Sequence, residues 1–383
     1  MIILLYLFFI STTSFSQYRL RLQLSSLPSS HNEAPVFVAG NFNNWNPADN
    51  GFIFSPVNNI WVKEIVNLPK GVYEFKFTRG DWAKVEANAN GSDIENRLVK
   101  LSSDTTITYT VAAWKDDFAA VAKQHTASSH VAVMDTAFFI PQLNRTRKIW
   151  VYLPEDYHTA SRRYPVLYMQ DGQNVFDNYT SGFGEWGVDE CLDSMIAAGK
   201  PPCIVVAVDN GPRRMNEYNP FEFENAGKGE GDQYVNFLVQ TLKPFIDRQF
   251  RTLKTKEHTI IAGSSMGGLI SYYAMLKFPD VFGKAGIFSP AFWTAPQIKQ
   301  TTDSLASSLD GKLFFYIGEP EGETYVNDMK DIMDRIGEHS GAMVYAVIDP
   351  DGKHNEKAWR KWFDEFYTWM MADGYNSVLR LGE

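Results

Sequence analysis

Two different rhythms of apolar and polar residues divide the chain near residue 130. From about 17 to 113, short apolar segments alternate with turn clusters: residues 36–39, then the Asn-rich run 40–46, then 61–65, 73–78 and 105–111. Short, evenly spaced strands with Gly, Asn and Pro between them predict a small all-β sandwich of immunoglobulin-like type. Residues 114–130 lose this periodicity and read as a linker or a short helix. From 131 to about 375 the pattern becomes α/β. Apolar, β-branched runs at 148–153, 166–169, 204–208, 258–262, 284–288, 313–317 and 343–348 predict strands. Between them, 189–198, 234–250, 266–277 and 356–370 carry helical spacing. Nearly continuous apolar strands that alternate with helices predict a mostly parallel sheet covered on both faces.

The first ten residues, Met-Ile-Ile-Leu-Leu-Tyr-Leu-Phe-Phe-Ile, are followed by a small polar run ending at Ser16. An apolar core too short to span a bilayer, with Ser14 and Ser16 before Gln17, predicts a signal peptide over 1–16 and an exported protein, periplasmic or secreted. No later stretch is apolar enough for a membrane helix. The net charge of −9 argues against a nucleic-acid partner, because such partners select a basic face. The two cysteines, Cys191 and Cys203, could pair in an exported protein or be buried separately. The seven histidines show no metal-ligand spacing, so neither a metal nor another cofactor is expected.

Candidate chemistry centres on Gly263-Ser264-Ser265-Met266-Gly267, which lies between the strand at 258–262 and the helix at 266–277. This strand–turn–helix setting suits a G-x-S-x-G nucleophile elbow. Ser265 needs a tight turn to lift its Oγ above the sheet, and side chains two residues away on either side would collide with strand and helix. The Met266 N–H at the helix start can stabilise an oxyanion. A serine nucleophile needs a base and an acid, in the chain order Ser, acid, His for this type of fold. Functional groups gather at the carboxyl ends of parallel strands. His339 precedes the strand at 343–348, whereas His354 follows it, so His354 is the candidate base. The loop after 313–317 offers Glu319, Glu321 and Glu323 as acids. Asp209 also follows a strand but precedes the serine. The loop Gln170-Asp171-Gly172-Gln173-Asn174 should supply a second oxyanion donor, the N–H of Gly172 or Gln173. Trp186, Arg214 and Trp293 fall in loops after strands. They either line a substrate pocket or serve as packing and an ion pair.

The motifs Tyr168-Met-Gln-Asp-Gly-Gln-Asn-Val-Phe, Gly263-Ser-Ser-Met-Gly-Gly and Asp351-Gly-Lys-His354 resemble the esterase family that groups esterase D, enterochelin-esterase-type siderophore hydrolases and carbohydrate esterase family 1. The resemblance covers about 131–373. It implies an α/β-hydrolase fold and a serine esterase with nucleophile Ser265 and base His354. Its acid falls in a Gly-x-x-Asp/Glu loop, which places that role on Glu321; many members carry Asp there. The front module is similar to carbohydrate-binding module families 48 and 20 through Gly40-Asn-Phe-Asn-Asn-Trp45 and Tyr73-Glu-Phe-Lys-Phe-Thr-Arg-Gly-Asp-Trp82. That likeness implies that Trp45 and Trp82 stack on sugar rings while Lys76 and Asn96 bond sugar hydroxyls, with α-glucan or another polysaccharide as partner. The alternative is a vestigial sandwich.

These readings predict deacylation of acetyl or feruloyl esters on poly- or oligosaccharides. Siderophore tri-ester hydrolysis is the alternative within the same chemistry. A non-catalytic carbohydrate-binding protein is the alternative from another class.

Overall fold

The structure, a computed structural model, describes residues 17–381 except 32, 44, 59, 95, 120–122, 224–226 and 373–377. The expected signal peptide, residues 1–16, lies outside the described residues. The chain forms two compact units, residues 1–122 and 123–383.

The first unit is built from β1 (Gln17–Ser26), β2 (Phe37–Gly40), β3 (Ser55–Val57), β4 (Ile60–Pro69), β5 (Gly71–Thr78), β6 (Glu86–Ala87), β7 (Arg97–Leu101), β8 (Thr105–Thr110) and β9 (Ala113–Trp114). One sheet has the order β3-β4-β1-β8 and another the order β2-β5-β7, with β6 and β9 forming a short ribbon. Strand period two explains the pairing of the two sheets. Leu20, Leu22 and Leu24 of β1 point into the same core as Phe75 and Phe77 of β5 and Val99 and Leu101 of β7. The residues between them on β1 and β5 are at least partly exposed.

The second unit contains β10 (Val131–Ile140), β11 (Arg145–Tyr152), β12 (Val166–Met169), β13 (Ile204–Val208), β14 (Thr259–Ser264), β15 (Lys284–Phe288), β16 (Lys312–Gly318), β17 (Met343–Asp349) and β18 (Val378–Leu381). They form one sheet in the order β10-β11-β13-β12-β14-β15-β16-β17-β18. β11 runs antiparallel to both of its neighbours, and every pairing from β13 to β18 is parallel. Helices α1 (Val188–Ala197), α2 (Arg214–Glu217), α3 (Gly231–Phe237), α4 (Lys243–Gln249), α5 (Met266–Lys277), α6 (Ile298–Leu305), α7 (Glu323–His339), α8 (Glu356–Lys361) and α9 (Phe363–Met371) surround it. Two separate cores, one on each face, bury β12, β13, β14 and β16 completely, which is why these sequences read as unbroken apolar runs. This order, with helices on both faces, is the α/β-hydrolase arrangement. The chain leaves β12 on one side for β13 and returns on the other for β14. The switch between those crossovers lies at the carboxyl ends of β12 and β14, the position that such sheets offer to ligands.

Three sequence expectations change. Among its described residues, the stretch 114–130 forms no α-helix. Its first residues continue the first unit as β9 and a short 3-10 turn. Its end is fastened within the second unit: His125 pairs with Asp177 at 2.7 Å, the Ser128 N–H donates to Asp189 at 2.6 Å, and His130 pairs with Asp193 at 2.8 Å. The expected helix at 234–250 runs from Gly231 to Gln249 but carries one π-helical turn, Leu238–Leu242. The expected helix at 356–370 breaks at Trp362, whose backbone leaves helical geometry (φ −105°, ψ 4°). There the indole N–H is drawn to Asp349 at 2.7 Å.

Candidate active site

Ser265 stands between β14 and α5 with φ 57° and ψ −121°, outside the comfortable regions for a side-chain-bearing residue. From Thr259 to Leu276 it alone is not buried. The turn is held from both sides, since the Ser265 N–H donates to the Phe288 carbonyl at 2.9 Å and its own carbonyl accepts the Ala291 N–H at 3.0 Å. Strain kept in place by surrounding structure is a mark of functional positions. A Cβ on Gly263 would lie 2.7 Å from the Gly267 carbonyl carbon. Gly263 is therefore required by the Gly267 backbone, whereas a Cβ on Gly267 would crowd Gln170 at 3.1 Å and Asp171 at 3.2 Å. Met266 is the first residue of the helix, where amide groups have no intrahelical acceptor.

The loops after β16 and β17 bring an acid and a base together. Glu321 is 5% exposed, whereas Glu319 and Glu323 are exposed. The Nδ1 of His354 lies 2.7 Å from Glu321 Oε2. Oε1 of the same carboxylate accepts the Gly318 N–H at 2.8 Å and the Ser289 hydroxyl at 2.6 Å. The loops can meet because Gly318 and Gly352 lack side chains: a Cβ on Gly352 would sit 2.9 Å from the Gly318 Cα. His339 ends α7, at the opposite end of β17 from His354. Ser265, Glu321 and His354 thus follow β14, β16 and β17. β15 and Ser289 lie between them, joined to Ser265 by the backbone bonds at Phe288 and Ala291.

On the other side of β14, Gly172 follows β12 after Asp171, which has φ 54°. The reason for Gly172 is internal packing: a Cβ there would lie 2.7 Å from the Ala207 carbonyl carbon. The close approach on the Cβ side of Gly172 is thus to β13. Arg214 is paired with Asp171 through two bonds, 2.6 Å from Nε and 2.8 Å from Nη2, and Asn210 adds a third at 2.7 Å. Through this ion pair Arg214 secures the loop that carries Gly172 and Gln173. Gln173 accepts the Thr180 hydroxyl at its carbonyl, 2.7 Å away, and the Asn210 N–H at its side chain, 3.3 Å away. Trp186 is 3% exposed, stacked on Trp359 at 5.6 Å and edge-on to Phe288 at 4.9 Å. Trp293 is 38% exposed beside Phe223 and Tyr325, and it follows directly on the loop bonded to Ser265. Glu356, buried at the start of α8, accepts the Asn174 amide at 3.0 Å. Burial chiefly, with Asp171 adding to it, pushes its carboxyl up to about 7; His354 and Arg214 oppose the shift.

Sequence reasoning passed over Ser289, Trp359 and Gly318. Only the position of Ser289 immediately after a buried strand could have signalled it.

In the first unit, Trp45 and Trp82 are both half-buried, with ring centroids 6.3 Å apart and planes tilted by 39°. Trp45 takes φ 56°. Lys76 is half-buried on β5, and the exposed Asn96 donates its amide to Glu74 at 3.0 Å. Glu86 is buried beneath and paired with Arg97 at 2.6 Å. Both cysteines are free thiols, with burial pushing Cys191 up to about 11 and Cys203 up to about 12. No helix among the described residues is long and apolar enough to cross a membrane.

Residues 140–369 match the model of the family described as Putative esterase. The uncharacterized protein YbbA of Bacillus subtilis is 29% identical over 183 residues, 46% of this chain and 69% of its own. An endo-1,4-beta-xylanase/feruloyl esterase of Xylanibacter ruminicola is 30% identical over 175 residues, 45% of this chain but 23% of its own. Among solved structures, the enterobactin esterase FES from Shigella flexneri superposes with a TM-score of 0.53 at 15% identity, covering 88% of this chain and 87% of that one.

Proposed function

The chain belongs to the Putative esterase family and is a carboxylic-ester hydrolase; from that premise we propose that it works through Ser265, His354 and Glu321. The observation that carries this reading is the 2.7 Å pair between His354 Nδ1 and Glu321, on loops beside the strained turn of Ser265. Glu321 holds the imidazole with its proton on Nδ1, so that Nε2 is left as the base. Ser265 Oγ attacks the ester carbonyl as Nε2 takes its proton. The negative charge that forms on the carbonyl oxygen is stabilised by the N–H of Met266 and by that of Gly172 or Gln173. Collapse breaks the bond to the alcohol, which leaves with the proton from Nε2. Water then attacks the acyl-enzyme by the same route and releases the carboxylic acid.

Within this chemistry the substrate we favour is an acyl group on a poly- or oligosaccharide, acetyl or feruloyl. The paired Trp45 and Trp82 of the first unit support the sugar part, with Lys76 and Asn96 as polar partners, and the feruloyl esterase relative supports the acyl part. Trp293 is the exposed aromatic available to the substrate near Ser265. The apolar leader at residues 1–16 supports export. A second reading, siderophore tri-ester hydrolysis, is supported by the likeness of fold to the enterobactin esterase. Release of acetate or ferulate from xylan, set against opening of enterobactin, separates the two. Glycan retention without fluorophosphonate labelling would instead mark a non-catalytic binding protein.

A further inference from the structure

Ser289 lies at the carboxyl end of β15, 2% exposed, with φ 43°. A left-handed backbone at a residue other than Gly or Asn costs free energy, so something must hold it. Its N–H donates to the Tyr316 carbonyl at 2.6 Å. Its hydroxyl lies between two partners, Trp359 Nε1 at 2.9 Å and Glu321 Oε1 at 2.6 Å. An indole nitrogen can only donate. The Ser289 oxygen therefore accepts from Trp359, and its single proton is left for Glu321. Trp359 is itself locked, stacked on Trp186 on one side and edge-on to the His354 ring at 5.2 Å on the other.

We propose that Ser289 is a positioning residue for the esterase reaction: Trp359 orients its hydroxyl, which pins Glu321 Oε1 and so keeps Oε2 on His354 Nδ1. This rests on the assignment of Ser265, His354 and Glu321 made above. The relay fixes a direction, from indole N–H to hydroxyl to carboxylate, with the imidazole N–H meeting the other carboxylate oxygen. A glutamate needs such a pin more than an aspartate does, because it has one more rotatable bond to restrain.

The test is steady-state kinetics on p-nitrophenyl acetate with Ser289→Ala, Trp359→Phe, Glu321→Ala and the double variant Ser289→Ala/Glu321→Ala. Loss of a hydrogen bond to a charged group predicts that Ser289→Ala lowers kcat by roughly 10- to 100-fold, with KM unchanged. Trp359→Phe keeps an aromatic ring but removes the N–H, and should lower kcat by a smaller factor. In the Glu321→Ala background, Ser289→Ala should add nothing, because its route to the reaction is gone. Wild-type kcat in Ser289→Ala overturns the proposal, as does an equal loss in both backgrounds. If Ser289→Ala does not fold, Trp359→Phe decides, and wild-type kcat there overturns the proposal. Wild-type activity in Glu321→Ala would instead sink the triad assignment on which the relay depends.

Discussion

Gly318 and Gly352 lie backbone against backbone: a Cβ on Gly318 would collide with the Gly352 carbonyl, and one on Gly352 would sit 2.9 Å from the Gly318 Cα. Gly318 ends β16, just before the loop that carries Glu321, and Gly352 lies in the loop that carries His354. The separation of acid and base is therefore set by main-chain contact, which yields far less than a long side chain would. Gly352→Ala, whose Cβ would meet the Tyr316 hydroxyl as well as Gly318, should force the loops apart. Overpacking of this kind costs roughly 1–3 kcal/mol, and displacing a base by an ångström can cost about 100-fold in rate. Thermal unfolding and kcat on p-nitrophenyl acetate check this together. A variant with native melting temperature and rate would show that the close approach is incidental.

Among the three carboxylates of the acid loop, only Glu321 should matter. Glu321→Gln keeps the shape but places an amide against His354 Nδ1, which favours the wrong tautomer. Substitutions of this kind lower kcat by about four orders of magnitude. Glu319→Gln and Glu323→Gln remove exposed charges and should leave kcat within about twofold, as surface changes usually do. A large loss in either would move the acid to that residue.

The sugar reading of the first unit is testable without reference to catalysis. Trp82→Ala removes one of two neighbouring rings, and loss of aromatic stacking predicts a roughly tenfold rise in the dissociation constant for a maltooligosaccharide. Ser265→Ala should bind the sugar unchanged. Titration calorimetry on both variants measures this. Undetectable binding by the wild-type protein would mark the sandwich as vestigial.

How much of this was legible in the sequence depended on sequence distance. Ser265 was readable because strand, glycines and helix are contiguous, and the apolar strands before and after it announced a sheet buried on both faces. His354 was separable from His339 because chain direction tells which residue follows a strand and which precedes it. Family likeness was needed to favour Glu321, since three carboxylates within five residues differ only in burial. Ser289 and Trp359 are 70 residues apart, and no local pattern joins them. Trp186 and Arg214 sit where pocket residues would. Their partners, Trp359 and Asp171, are visible only in three dimensions. The break at Trp362 likewise depends on Asp349, which belongs to another element.

Glu356 predicts a pH dependence of stability. Its carboxyl is pushed up to about 7, chiefly by burial, whereas an unfolded glutamate titrates near its ordinary value of about 4.3. Between these two values the folded state holds the proton more firmly than the unfolded one. Stability contributed by the protonated group is therefore present below the unfolded value and is lost as pH rises through the folded one. The loss is at most about 4 kcal/mol. Glu356→Gln keeps an oxygen for the Asn174 amide but cannot ionise. Its melting temperature relative to wild type should therefore be near zero difference at pH 4.5 and increasingly positive toward pH 8. Asp209, also raised by burial, to about 6, contributes a similar slope in both proteins and cancels in the comparison. A difference that stays flat from pH 4.5 to 8 would mean that Glu356 ionises without cost, through water or a partner shift that relieves its burial.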